Sequence, residues 1–172
     1  RKEFIEQLST KAMEIHHEFT KGAEHLKLEY ESDLNKPDDY LEKLRQTRAR
    51  DQKQGTTGYG IHLDDMSITI NDTDVRRFGS QGQVRLSALS IFLALTGFIE
   101  AGLGIKPIIL LDDVFSELDR DRKANVLERL ADYQTLITAT DTDGLAESLI
   151  EQAHIITIEN GRNIGGKIDQ FE

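Results

Sequence analysis

The chain contains no cysteine and no tryptophan, and only two prolines and two methionines in 172 residues. Without cysteine, disulfides and thiolate metal sites are excluded. No apolar run is expected to approach a membrane span, and the charged start Arg1-Lys2-Glu3 is no signal peptide. A cytosolic protein without a membrane partner is the simplest reading. A G-x-x-x-x-G-K-[ST] phosphate loop is also missing. Positive charge is short: 21 Lys and Arg face 31 Asp and Glu, a net charge of -10. That argues against coating nucleic acid through bulk charge and leaves only local basic patches. The chain starts without Met, in what reads as mid-helix, which suggests a piece of a longer protein. There is no internal repeat and no low-complexity segment.

What is present is a globular mix, 38% hydrophobic and 30% charged. The length suffices for one domain with a core, or one domain plus an arm. Ile5, Leu8, Ala12, Ile15 and Phe19 recur at helical spacing and predict a helix over 2–20, with Gly22 as its stop. His16 and His17 near its end read as a polar edge with a favourable dipole interaction rather than a metal pair. Leu26, Leu28 and Tyr30 alternate with charged residues and predict a half-buried strand. Asn35-Lys36-Pro37 breaks it. Asp38 or Asp39 then caps a short helix carrying Tyr40, Leu41 and Leu44. Arg45, Arg48, Arg50 and Lys53 follow, either a phosphate-contacting patch or a solvated face interleaved with Asp51.

Gly55–Gly60 reads as a connection into the next strand rather than a phosphate cradle, because no lysine follows it. His62 lies near Asp64 and Asp65, but the spacing matches no metal-ligand pattern, so His62 reads as structural. Met66, Ile68 and Ile70 predict a strand, and Asn71-Asp72 a turn. Gly79–Gln83 (G-S-Q-G-Q) precedes an apolar-periodic helix expected from about Gln83 to Glu100 and closed by Gly102. A small polar turn at a helix start offers free N–H groups to an anion, although Ser80 also reads simply as an N-cap.

Pro107–Asp119 (P-I-I-L-L-D-D-V-F-S-E-L-D) organises the rest. Ile108–Leu111 has no alternation and predicts a strand buried on both faces, as in a parallel sheet between helix layers. Ligands of such sheets bind outside the strands' carboxyl ends. Asp112 and Asp113 stand at that end, where a buried acid pair calls for a cation such as Mg²⁺ on a nucleotide phosphate. Asp119 or Asp121 starts a helix with Val126, Leu127 and Leu130. Leu136–Thr138 is a short strand, Leu145–Ile150 a short helix, and His154–Ile158 and Ile164–Ile168 a hairpin about Asn160-Gly161. The order strand, helix, strand, helix, strand is half of a doubly wound α/β sheet.

Turn, helix, strand with two acids, then S-E-L-D is the order of ABC-type ATPases, and within them the chain resembles the RecF family, related to the SMC heads. The matching residues are Gly79–Gln83, Leu110–Asp119, and G-T-T…G-x-H…D-D between Gly55 and Asp65. Glu14, Ile15, His16 and Glu18 of the first helix and Glu159–Gly161 also match. The resemblance implies the C-terminal half of an ABC ATPase head over 51–172, preceded by the end of a helical arm lobe over 1–50. It implies that Ser80, Gln81, Gly82 and Gln83 are the ABC signature, contacting ATP held by the opposite subunit. Asp112 would hold Mg²⁺, Asp113 would orient or deprotonate the attacking water, and Ser116–Asp119 would be the D-loop at a dimer interface. Thr140 would fall near the switch position. The family's role would be ATP-dependent homodimerisation on DNA at gaps or stalled forks, loading recombinase with mediator proteins.

Two departures accompany the resemblance. The family's G-P-H-R is Gly60-Ile61-His62-Leu63 here, so any contact of that Arg is in doubt. The P-loop, which the family carries far upstream, is absent, so this chain alone is expected not to hydrolyse ATP. Arg76, Arg77 and Arg85 cluster around the signature and can meet phosphates or pair with acids. Competing readings are a transporter nucleotide-binding subunit, a non-catalytic dimerising or DNA-docking module, and a magnesium phosphatase. The missing switch histidine speaks against the first, and the missing D-x-D or lysine constellation against the last.

Overall fold

The structure, a computed structural model, describes residues 1–32, 37–116, 118–140 and 153–165. The chain divides into two compact units, Arg1–Gly97 and Phe98–Glu172. The division expected near residue 50, between arm lobe and head, does not coincide with this one.

In the first unit, α1 (Lys2–Phe19) buries Leu8, Ala12, Ile15 and Phe19, the stripe the spacing predicts. It packs on β1 (Leu26–Glu31), whose Leu26 and Leu28 are buried while Lys27 and Glu29 face water. Each such side chain, fully buried, contributes about 1.5–3 kcal/mol. β1 pairs antiparallel with β2 (Asp65–Ile70), with Leu26 opposite Ile70 and Leu28 opposite Ile68. β3 (Thr73–Asp74) folds back on β2 through Asn71 and Asp72, both at positive φ, 48° and 62°. Two residues at positive φ make the turn whose twist suits a hairpin.

α2 (Pro37–Gln54) is longer than the short helix expected and carries Arg45, Arg48, Arg50 and Lys53 on exposed positions. The break expected at Asn35-Lys36 lies outside the described residues. One turn of helix, α3 (Val75–Phe78), was not anticipated, because four residues are too few to show a period.

α4 (Gln81–Leu103) buries Leu86, Ser87, Leu89, Ser90, Leu93, Ala94 and Thr96. It ends at Gly104, not Gly102: Gly104 takes a φ of 69° and its N–H donates to Glu100 O at 2.8 Å. The left-handed conformation that closes a helix favours glycine there. By length and composition α4 is apolar enough to cross a membrane. This departs from the expectation that no apolar run approaches a membrane span; 39% of the apolar window is buried inside the structure.

In the second unit, β4 (Ile109–Asp112) and β5 (Thr135–Thr138) are parallel, in register from Ile109–Thr135 to Asp112–Thr138. α5 (Arg120–Leu130) forms the crossover and buries Val126, Leu127 and Leu130. β4 is not buried on both faces. Ile109 and Leu111 are buried, whereas Ile108 and Leu110 are 59% and 67% exposed. The apolar run was read as a two-sided strand, but among the described residues only one face of β4 is covered. β6 (Thr157–Glu159) and β7 (Arg162–Gly165) form the expected hairpin, with Asn160 and Gly161 at positive φ. The helix expected at Leu145–Ile150, and the end of the last strand beyond Gly165, lie outside the described residues. The architecture is α/β, with a parallel sheet at the acid pair.

Candidate functional site

The two candidate motifs lie in different units. In the first, Gly79 precedes α4 with its N–H on Val75 O at 3.1 Å. A Cβ at Gly79 would lie 2.6 Å from that carbonyl oxygen, so the turn admits glycine only. Ser80 Oγ accepts from Gln83 N at 3.2 Å, and Gln83 Oε1 accepts from Ser80 N at 3.0 Å. This is a reciprocal capping box, S-x-x-Q, which satisfies two of the donors a helix start leaves open. Gln81 and Gly82 form the first residues of α4, with Gln81 exposed. Phe78, one turn away, is 74% exposed.

The basic residues near this turn are largely committed to acids. Arg76 makes two bonds to the Asp65 carboxylate, 2.7 and 3.1 Å, and a third to Met66 O at 2.9 Å. That guanidinium, with the Met66 N–H, holds the Asp65 carboxyl down at about 2. Arg77 Nε lies 3.9 Å from Asp74. On α2, Asp51 accepts from the Thr47 hydroxyl at 3.0 Å and from the Gly58 N–H at 3.1 Å.

One of the two histidines falls differently from expectation. His16 is no polar edge: it is fully buried, between Ser90 of α4 and Glu24. Counting α1 residues predicts which face a side chain lies on, but not that α4 and the loop after α1 bring polar partners to it. His62 is exposed, its Nε2 3.0 Å from Thr57 O, as a structural histidine of the loop. Asp64, beside it, accepts from Tyr30 and Ser32, and those two hydroxyls hold its carboxyl below the usual range. Among the described residues no cluster of three His, Cys, Asp or Glu is arranged to hold a metal.

In the second unit, Asp112 closes β4 and Asp113 turns the chain with φ at 49°. The left-handed region is unfavourable for most residues, and Asp is among those that tolerate it. Thr138, directly across β5, ties the pair. Its hydroxyl donates to Asp112 Oδ1 at 2.5 Å and accepts from Asp113 N at 3.1 Å. Ser116 Oγ lies 3.2 Å from Asp113 O and 3.3 Å from Asp113 Oδ2. Asp119 caps α5, accepting from Arg122 N at 2.9 Å. The structure thus gathers Asp112, Asp113 and Ser116, and gives Asp119 a helix-start role. Thr140 is exposed just past β5. The hydroxyl set against the acids is Thr138's, two residues earlier, which the sequence reading missed. The available signal was its place at the end of the next parallel strand.

Both acids are exposed. The burial cost invoked for them therefore does not apply, because one face of β4 is open. The donor set still suits Mg²⁺. That ion is held by one or two carboxylates with phosphates and water rather than by a protein cage. A single oriented carboxylate, Asp112, at a parallel strand end is such a donor.

No protein-family model matches the chain. It is 39% identical over 165 residues to DNA replication and repair protein RecF of Clostridium botulinum, covering 94% of this chain and 46% of the relative. RecF of Geobacillus thermodenitrificans is also 39% identical, over 171 residues, with the same coverage. The chain therefore spans about half the length of the curated relatives it matches. Among solved structures, the recombination mediator protein RecF with ATPrS superposes with a TM-score of 0.70 at 28% identity, covering 95% of this chain and 45% of that one. An SMC head bound to a winged-helix domain of ScpA gives 0.56 at 16% identity and shares the fold alone.

Proposed function

We propose that the chain, which is 39% identical to RecF proteins over 94% of its length, belongs to the RecF family and carries the second half of an ABC-type ATPase head that works in DNA repair. The observation that carries this reading is the acid pair at the carboxyl end of β4, tied across the sheet by Thr138. Asp112 would hold Mg²⁺, which would supply charge neutralisation on the phosphate oxygens. Asp113 orients the attacking water and takes its proton. In-line phosphoryl transfer also needs donors for the charge that develops. Ser80–Gln83 offers hydroxyl, amide and backbone N–H groups to the ATP of an opposite subunit. Ser116 and Asp119 form the D-loop beside that interface, and Thr140 lies near the switch position. Residues 1–50 end a helical lobe and 51–172 belong to the head, a division of role rather than of contacts.

The intact protein on this reading dimerises with ATP on DNA gaps or junctions in the cytoplasm and assists recombinase loading with mediator proteins. The exposed α2 residues Arg45, Arg48, Arg50 and Lys53 are its best phosphate contacts, since Arg76 is taken by Asp65. The cradle for the phosphates in cis is not among these residues, so the 172-residue chain alone does not turn over ATP. The experiment is nucleotide-dependent dimerisation of the full-length protein by light scattering. ATP is expected to promote dimers, and Ser80→Arg to abolish them. A protein that stays monomeric with ATP sinks the signature assignment. Magnesium-dependent turnover by the isolated chain, lost in Asp113→Asn, sinks the half-site reading.

A further inference from the structure

His16 is a fully buried titratable side chain that the ATPase reading does not use. Its Nδ1 lies 3.1 Å from Ser90 Oγ and its Nε2 3.1 Å from Glu24 Oε2. Ser90 Oγ donates to Leu86 O at 2.7 Å. The Glu24 carboxylate only accepts, so Nε2 donates to it. That carboxylate is itself only 11% exposed, so the contact is shielded from water.

Glu24 does not stop at the histidine. Its other oxygen, Oε1, accepts from Gln83 Nε2 at 3.2 Å. That fixes which way round the Gln83 amide sits. With its NH₂ on Glu24, its Oε1 meets Ser80 N; flipped, it would set oxygen against carboxylate and NH₂ against N–H. The capping box of the signature turn is therefore oriented from behind by the His16–Glu24 pair on α1 and the loop that follows it.

We propose that His16 and Glu24 are positioning residues of the signature turn, acting through the Gln83 side chain to fix the Ser80 hydroxyl and N–H at the start of α4. The significance of that turn rests on the ATPase reading; the coupling does not. It makes the signature answer to α1, so that a movement of α1 reaches the turn through one carboxylate.

The test uses the 172-residue chain without nucleotide. Nitrogen NMR at neutral pH is expected to find the His16 Nε2 protonated. In Glu24→Gln, the Ser80 and Gln83 amides are expected to exchange hydrogen about tenfold faster, the effect of losing one charge-assisted bond. The Leu93 and Ala94 amides, deep in α4, stay as protected as before. The double change Glu24→Gln with Gln83→Glu reverses the polarity of the contact, keeps an acceptor for Ser80 N–H, and restores slow exchange. An unprotonated Nε2, an unchanged Ser80 amide in Glu24→Gln, equal acceleration at Leu93 and Ala94, or no rescue by the double change would each overturn the proposal. A failure of ATP to dimerise the full-length protein would instead remove the meaning of the turn and leave these exchange results standing.

Discussion

At the scale of single residues, the second unit turns on one hydroxyl. Thr138 bonds both Asp112 and the Asp113 amide, so Thr138→Val removes two contacts at once. One charge-assisted bond at an exposed site is worth about 1 kcal/mol, and urea denaturation is expected to show a loss of that order. Thr138→Ser, which keeps the hydroxyl, stays near the parent; equal loss in both variants would mean that the methyl group, not the bond, matters. A second residue-scale effect is the pH response of Asp65. Its carboxyl is held at about 2 by Arg76, below the ordinary 3.8. A group depressed on folding stabilises the fold above its unfolded pKa and loses that contribution as pH falls through the folded one. The contribution is thus complete above about pH 4 and gone near pH 2. Acid titration of Asp65→Asn is expected to be flatter in that window, and an identical titration would discount the pair. Neither effect was legible in the sequence. Asp65 and Arg76 are eleven positions apart, and only the β2–β3 hairpin sets them face to face.

At the scale of elements, start signals were legible and partners were not. S-x-x-Q before an apolar run is a local capping pattern, and the structure makes both of its bonds. Asp119 likewise caps α5 as one of the two acids the sequence offered. Asp119→Ala is expected to cost about 1 kcal/mol of helix stability, read as faster amide exchange at Arg122 and Lys123. Gly79→Ala is the harsher change. Its Cβ meets the Val75 carbonyl at 2.6 Å, so α3 or the start of α4 has to move. Circular dichroism melting is expected to register it as a loss of about 1–3 kcal/mol, a common range for overpacking, and a melt like the parent's would show that the turn gives way freely. The end of α4 was misplaced by two residues, because Gly102 and Gly104 are equally good stops on paper. Only the backbone shows that Gly104 takes the left-handed conformation.

At the scale of the whole molecule, the face of β4 and β5 left open among the described residues stands out. Leu110 and Leu136 are paired in register and are 67% and 55% exposed, with Ile108 beside them at 59%. An open apolar sheet face favours association. The chain is expected to self-associate with rising concentration in sedimentation, and Leu110→Lys with Leu136→Lys to suppress it; association unchanged by the pair would absolve that face. The order of the longer described elements, the α/β class, the turn before α4 and the acids ending β4 were determined by sequence, because they rest on period, glycine placement and adjacent residues. The RecF-like motifs lie in such contiguous runs, which is why they could be read without coordinates. The tertiary structure alone decided that His16 is buried against Glu24, that Thr138 rather than Thr140 joins the acids, and that β4 has one open face. Each of these depends on which element lies beside which, and distance along the chain carries no record of that.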